Sequence, residues 1–224
     1  TISSLNVEIK YCEIELLDEY IEKEKPNLVY LSNPNNPTGY TFDSTELIEK
    51  HKEVYFVIDE AYYEFYKINS LFSIAYKFPN VIVTRTFSKG MGLASIRLGY
   101  LTSNSYVLQM IRKIKNYKEV NGLAQIAGIE AIKNIKLIQE NINTMQNVKE
   151  KFCNSISNSV EKYKSYANFV LLKHKNVPQI ISDLKDNNIL VRDRNEYIKD
   201  TMRITIGEEG VMRNVAKIIN RRIK

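Results

Sequence analysis

Lys89 lies in Thr84-Arg85-Thr86-Phe87-Ser88-Lys89-Gly90-Met91-Gly92-Leu93-Ala94-Ser95-Ile96-Arg97-Leu98-Gly99, just after the apolar run Val81-Ile82-Val83. Ser88 and Thr86 put hydroxyls one and three residues before it, and Arg97 puts a guanidinium eight residues after it. A lysine amine can condense with an aldehyde. To act that way it needs partial burial and nearby positive charge, which favour the neutral amine. Hydroxyls and a guanidinium together suit a phosphate, the guanidinium through a bidentate charge-assisted pair. The plainer reading makes Lys89 and Arg97 surface charges and Thr86 and Ser88 turn residues.

Two further segments also follow apolar strands. Asp59 ends Tyr55-Phe56-Val57-Ile58, so it projects at the C-terminal edge of a sheet, where ligand sites of α/β proteins gather. Tyr62 stands three residues on. Asn36 lies within Asn33-Pro34-Asn35-Asn36-Pro37-Thr38-Gly39, a segment that ordinary turn chemistry would also explain. Near the C-terminus, Arg203 interrupts the apolar segment Met202-Arg203-Ile204-Thr205-Ile206, where an unpaired charge is costly. Arg192, in Leu190-Val191-Arg192-Asp193-Arg194, has a similar strand-end position, with an ion pair to Asp193 as its plainer reading.

Taken together and in this order, the three N-terminal segments resemble the fold-type I pyridoxal-phosphate aminotransferases, in the branch of histidinol-phosphate aminotransferase. The resemblance covers nearly the whole chain. It implies an enzyme that uses pyridoxal 5'-phosphate, with Lys89 bound to the cofactor aldehyde and moving a proton between the substrate α-carbon and the cofactor. By the same resemblance Asp59 pairs with the pyridinium nitrogen, and Tyr62 and Asn36 hydrogen-bond the phenolic oxygen. Thr86, Ser88 and Arg97 form the phosphate cup, and Arg192 and Arg203 grip the anionic end of the substrate.

The implied reaction is ping-pong transfer of an amino group between histidinol phosphate, or a related phosphorylated or aromatic amine, and 2-oxoglutarate. The implied setting is histidine biosynthesis. A rival on the same scaffold is a decarboxylase of phosphoserine or phosphothreonine, because substrate orientation decides which bond breaks. A more remote rival is a cofactor-binding regulatory domain. The family builds each site from two subunits, so a homodimer is expected. It also places a Gly- and Ser-containing phosphate loop, the aromatic that stacks on the cofactor ring and an N-terminal arm upstream of the segments seen here. The chain begins at Thr1 and contains none of these, and reads as a fragment of a longer protein.

These residues need a sheet to hold them. Candidate strands are Val7–Tyr11, Leu28–Leu31, Val54–Ile58, Val81–Thr84 and Leu98–Leu101, alternating with helices over Leu16–Glu24 and Ser44–Lys52. Asp43 and Glu46 stand at capping-box spacing before the second helix. The alternation predicts an α/β large domain with a mostly parallel sheet, of the aspartate-aminotransferase type by resemblance.

From Asn104 the sequence turns helical, with one helix over Gly122–Asn134. A stripe of Ile135, Ile138, Ile142, Met145, Phe152, Ile156 and Val160 predicts a long amphipathic helix packed on the core. A small α+β C-terminal domain follows, with strands Asn168–Leu172, Ile189–Val191 and Met202–Ile206 and helices Val177–Asp186 and Glu208–Arg222. The expected division is 1–138 for the large domain and 139–224 for the connecting helix and small domain.

Composition narrows the function classes. The 224 residues can bury a sizeable core, and 44% hydrophobic with 26% charged residues is ordinary for a soluble globular protein. No apolar run approaches the roughly 18 residues of a membrane span, and no signal segment opens the chain. The net charge of +6 arises from lysines spread beside glutamates, without the basic clusters and interleaved aromatics of a nucleic-acid surface. Cys12 and Cys153 are isolated thiols, which argues against a disulfide framework or zinc site and for a reducing cytoplasm. His51 and His174 have no partners at useful spacing, so neither a metal centre nor a Ser-His-Asp triad is expected.

Overall fold

The computed structural model describes residues 7–67, 69–116 and 118–223. Strands β1 (Leu28–Ser32), β2 (Tyr55–Asp59) and β3 (Val81–Thr86) run parallel, and β4 (Gly99–Ser103) closes the sheet antiparallel to β3, in the order β1-β2-β3-β4. One face is buried: Val29, Phe56, Ile58, Val81 and Val83 pack on helices α1 (Leu17–Glu24) and α2 (Thr45–Lys50) through Leu17, Ile21 and Ile48, with Leu71 and Ala75. Each such side chain contributes about 1.5–3 kcal/mol of burial.

Three parallel strands must end at the same edge. The register puts Ser32 opposite Asp59 and Asp59 opposite Thr84. The ladder continues past the strands, with the Asn33 N–H donating to the Asp59 carbonyl and the Glu60 N–H to the Thr84 carbonyl. The Asn-Pro turn, Asp59 and the Lys89 loop therefore leave the sheet side by side.

Helices α3 (Ser105–Ile114) and α4 (Gly122–Lys133) each start on an asparagine N-cap, with Asn104 accepting from the Val107 N–H and Asn121 from the Ala124 N–H. Helix α5 (Ile135–Ser155) leads to a second sheet. There β5 (Glu161–Lys162), β6 (Phe169–Lys173), β8 (Thr201–Thr205) and β7 (Arg192–Asp193) pair antiparallel in that order. Helices α6 (Val177–Asp186) and α7 (Glu209–Ile223) cover it, and the core joins Val148 and Phe152 of α5 to Leu172, Ile180, Leu184, Met202, Val215 and Ile219.

Several expectations are corrected. Val7–Tyr11 forms no strand: Val7, Ile9 and Tyr11 are exposed, and among the described residues β1 pairs only with β2. The strand expected at Ile189–Val191 lies instead at Arg192–Asp193, where pairing with β8 rather than hydrophobicity sets the register. Helix α5 stops at Ser155, so Ile156 and Val160 are buried beyond its end, and Ile135 at its start is exposed. At α2 the Asp43 carboxylate accepts from both the N–H and the hydroxyl of Thr45, at 2.9 and 2.6 Å; Glu46 returns no hydrogen bond among the described residues.

Candidate active site

Lys89 stands three residues past the end of β3, and its Nζ lies 5.5 Å from the centre of the Tyr62 ring. Its side chain is exposed, not partly buried as expected; among the described residues the Tyr62 ring is the neighbour its Nζ faces. Gly90 has a steric reason: a Cβ there would stand 2.5 Å from the Glu64 Cβ. Glu64 is 7% exposed, its Oε2 has no hydrogen-bond partner among the described residues, and burial holds its carboxyl above the ordinary range.

The expected phosphate cup is partly assembled. The Ser88 N–H donates to Thr86 Oγ1 at 3.0 Å, and Arg97 Nη1 lies 3.5 Å from Ser88 Oγ and 3.0 Å from the Ala94 carbonyl. Arg97 has φ +58°, a left-handed conformation that costs a non-glycine residue on the order of 1 kcal/mol or more. Its guanidinium is thereby turned back toward Ser88.

Asp59 ends β2, and its Oδ1 accepts from the Ala61 N–H at 3.0 Å and from the Thr84 hydroxyl at 3.4 Å. Its Oδ2 accepts from the hydroxyl of Tyr30. Sequence reasoning missed Tyr30, which lies in no motif. The available signal was its alternation with Ser32, which the parallel register sets opposite Asp59.

The three asparagines of the Asn-Pro turn divide their work. Asn33 is buried and holds Phe42 and Thr41, with its Nδ2 donating to the Phe42 carbonyl at 2.8 Å. Asn35 Oδ1 accepts from the Thr38 hydroxyl at 2.8 Å. Turn chemistry therefore accounts for Asn33 and Asn35, while Asn36 faces outward and its Oδ1 accepts from Arg203 Nη1 at 2.5 Å.

That bond joins the first sheet to the second. The same seam holds Tyr62 edge-on to Phe169 at 5.1 Å, Tyr66 against Tyr166 at 4.0 Å, and the Tyr166 N–H on the Gly39 carbonyl at 2.8 Å. Arg203 lies 4.9 Å from the Phe169 ring centre, and its Nε is buried without a partner among the described residues. Burial pushes its guanidinium below the ordinary value, with Arg194 and Arg192 adding like charge. Arg192 stands directly opposite Arg203 across β7 and β8. Like charges in that position repel, and no ion pair to Asp193 relieves them among the described residues. Arg192 itself is exposed and touches none of the other candidates through a hydrogen bond among the described residues.

A second charged group, absent from the sequence reading, lies under the site. Glu60 is 2% exposed; it accepts from the Leu71 N–H, the Ser70 hydroxyl and Arg85 Nε at 2.8–2.9 Å. Arg85 is sandwiched between the rings of Tyr63 at 3.5 Å and Phe72 at 4.3 Å. The pair clamps β3 just before Thr86 and β2 just after Asp59. His51 serves structure: it is buried, with Nε2 2.6 Å from Asp18 Oδ1.

Residues 7–219 match the family model for aminotransferase class I and II. The chain is 36% identical over 210 residues to the histidinol-phosphate aminotransferase of Caldanaerobacter subterraneus, covering 91% of this chain and 59% of that protein. It is 34% identical to a dihydroxyacetone phosphate transaminase of Campylobacter jejuni, covering 92% of this chain and 58% of that one. The structure of histidinol-phosphate aminotransferase from Sinorhizobium meliloti in complex with pyridoxal-5'-phosphate superposes with a TM-score of 0.85 at 26% identity, covering 97% of this chain and 64% of that chain. The chain thus spans about three-fifths of the length of these relatives. It belongs to the class I and II aminotransferase family.

Proposed function

We propose that this chain holds pyridoxal 5'-phosphate at the C-terminal edge of its parallel strands and transfers an amino group from a phosphorylated amine, histidinol phosphate first among them, to 2-oxoglutarate. The observation that carries this reading is the grouping of Asp59, Tyr62, Thr86, Ser88, Lys89 and Arg97 at one sheet edge, beside an arginine from the second sheet. The donor set fits the group: hydroxyls and a guanidinium for a phosphate, a carboxylate for a ring nitrogen, an amine for an aldehyde. When bound, pyridoxal 5'-phosphate supplies that aldehyde and an electron-withdrawing ring.

The rest is work for the chain's own residues. Lys89, leaving the sheet beside Tyr62, would hold the cofactor aldehyde and, once released, serve as general base for the proton on the substrate α-carbon. Asp59, fixed on both carboxylate oxygens, holds a proton at the ring nitrogen. Tyr62 and Asn36 donate to the phenolic oxygen, and Thr86, Ser88 and Arg97 hold the phosphate. Arg203 and Arg192 bind the anionic end of the substrate; the unpartnered Arg203 Nε and the facing like charges support a site that an anion completes.

The division proposed for the chain is 1–138 and 139–224, supported by separate hydrophobic cores under the two sheets. A homodimer is the proposed assembly, supported by exposed Tyr106, Met110 and Ile114 on α3 and exposed Leu123, Ile126 and Ile132 on α4. A cytoplasmic setting is proposed as well; no helix among the described residues is long and apolar enough to cross a membrane.

The test is to add histidinol phosphate and 2-oxoglutarate to the cofactor-loaded protein and follow glutamate. Release of glutamate supports the reading. Carbon dioxide from a phosphoamino acid without an oxo-acid acceptor would replace it with decarboxylation.

A further inference from the structure

Asp59 has two oxygens, and the structure ties them differently. Oδ1 is held by its own loop and by β3, through the Ala61 N–H and the Thr84 hydroxyl. Oδ2 has one donor among the described residues, the Tyr30 hydroxyl. Tyr30 reaches it diagonally from the neighbouring strand, two residues before the position that faces Asp59 in the register. The contact spans 29 residues of sequence and joins β1 to β2 through side chains as well as backbone.

A hydrogen bond donated to a carboxylate favours the carboxylate over the carboxylic acid. It also fixes the carboxyl plane: with donors on both oxygens, Asp59 cannot turn about its last torsion without losing a bond. The phenol responds in the complementary sense. Burial first, and then the bond to Asp59, raise its ionisation well above the ordinary tyrosine value, so it stays a donor across the working range of pH. Phenylalanine would fill the same half-exposed position with the same ring and no donor.

We propose that Tyr30 is a positioning residue of the active site: its hydroxyl orients the Asp59 carboxylate and keeps the proton shared between Asp59 and the ring nitrogen of the cofactor on the nitrogen. The inference rests on the proposed binding of pyridoxal 5'-phosphate. One proton lies between two basic atoms, and a donor to the oxygen side makes the oxygen the poorer base. Removing that donor moves the proton toward Asp59 and leaves the ring a weaker electron acceptor.

Two measurements test it. In the first, the protein is loaded with pyridoxal 5'-phosphate carrying 15N in its ring, and the nitrogen resonance and dissociation constant are recorded for the parent and Tyr30→Phe. The parent is expected in the protonated range. Tyr30→Phe is expected to shift toward the neutral range and to bind roughly tenfold more weakly, the scale of one hydrogen bond to a charged group. An unchanged resonance and affinity in Tyr30→Phe would overturn the role of Tyr30 while leaving cofactor binding intact. Failure of the parent to bind would instead overturn the proposed function.

The second measurement needs no cofactor. With 3-fluorotyrosine placed at position 30, the fluorine resonance of the cofactor-free protein is expected to move on Asp59→Asn, which replaces the anionic acceptor. A resonance indifferent to that substitution would show that the two side chains are not bonded, and the inference would fall whatever the loaded protein did.

Discussion

Arg203 of β8 donates through Nη1 to Asn36 Oδ1 at 2.5 Å, across 167 residues of sequence. The bond brings a guanidinium from the second sheet to the edge where the parallel strands of the first sheet end. It also uses the one asparagine of its turn whose side chain the turn itself leaves free. Asn36→Ala removes that anchor and an amide from the proposed cofactor site. Hydrogen bonds to charged groups contribute about 1.5–3 kcal/mol, here reduced by solvent at an exposed pair. Cofactor affinity is expected to fall roughly tenfold by fluorescence titration, with little change in melting temperature.

Gly39 makes another tie across the seam, its carbonyl accepting from the Tyr166 N–H. Its φ is +76°, and a Cβ there would stand 2.0 Å from Ser165 Oγ and 2.8 Å from the Ser165 Cα, so the obstacle includes backbone. Gly39→Ala combines a strained conformation with a clash and is expected to destabilise by about 2–4 kcal/mol in denaturant unfolding. Adding Ser165→Gly removes the Oγ and Cβ contacts but not the strain, so it should recover only part of the loss.

Glu64 supplies the pH prediction. Burial raises its carboxyl above the value of 4.5 it has in an unfolded chain. The folded state therefore holds this proton more tightly than the unfolded state. The penalty begins as pH rises through about 4.5 and grows until the folded group ionises. Glu64→Gln cannot ionise. Its melting temperature is expected to exceed the parent's at pH 7–8 and to converge with it near pH 4. A difference that does not change with pH would show that ionisation of Glu64 is not the cause.

The legible parts of this chain were those with local rules. Parallel strands followed by turn-forming asparagine, acidic or lysine-bearing segments can be read from apolar runs and punctuation, and β1, β2 and β3 stand within two residues of their expected bounds. Short-range pattern failed where partners decide. Val7–Tyr11 alternates like a strand but finds no partner strand among the described residues, and β7 forms where β8 offers hydrogen bonds, directly after the apolar run. The site divides the same way. Thr86, Ser88 and Arg97 are near neighbours in sequence and are linked by hydrogen bonds. The contacts Arg203–Asn36, Tyr30–Asp59 and Arg85–Glu60 depend on sheet register or on how two sheets meet, and neither is written in spacing.

Lys89 is the residue proposed to join the cofactor, and covalent mapping reads that bond site by site. The protein is incubated with pyridoxal 5'-phosphate, reduced with borohydride, digested and sequenced by mass spectrometry. One pyridoxyl-modified peptide containing Ser88-Lys89-Gly90 is expected, absent in Lys89→Ala. Modification confined to another lysine, or none at all, would contradict it.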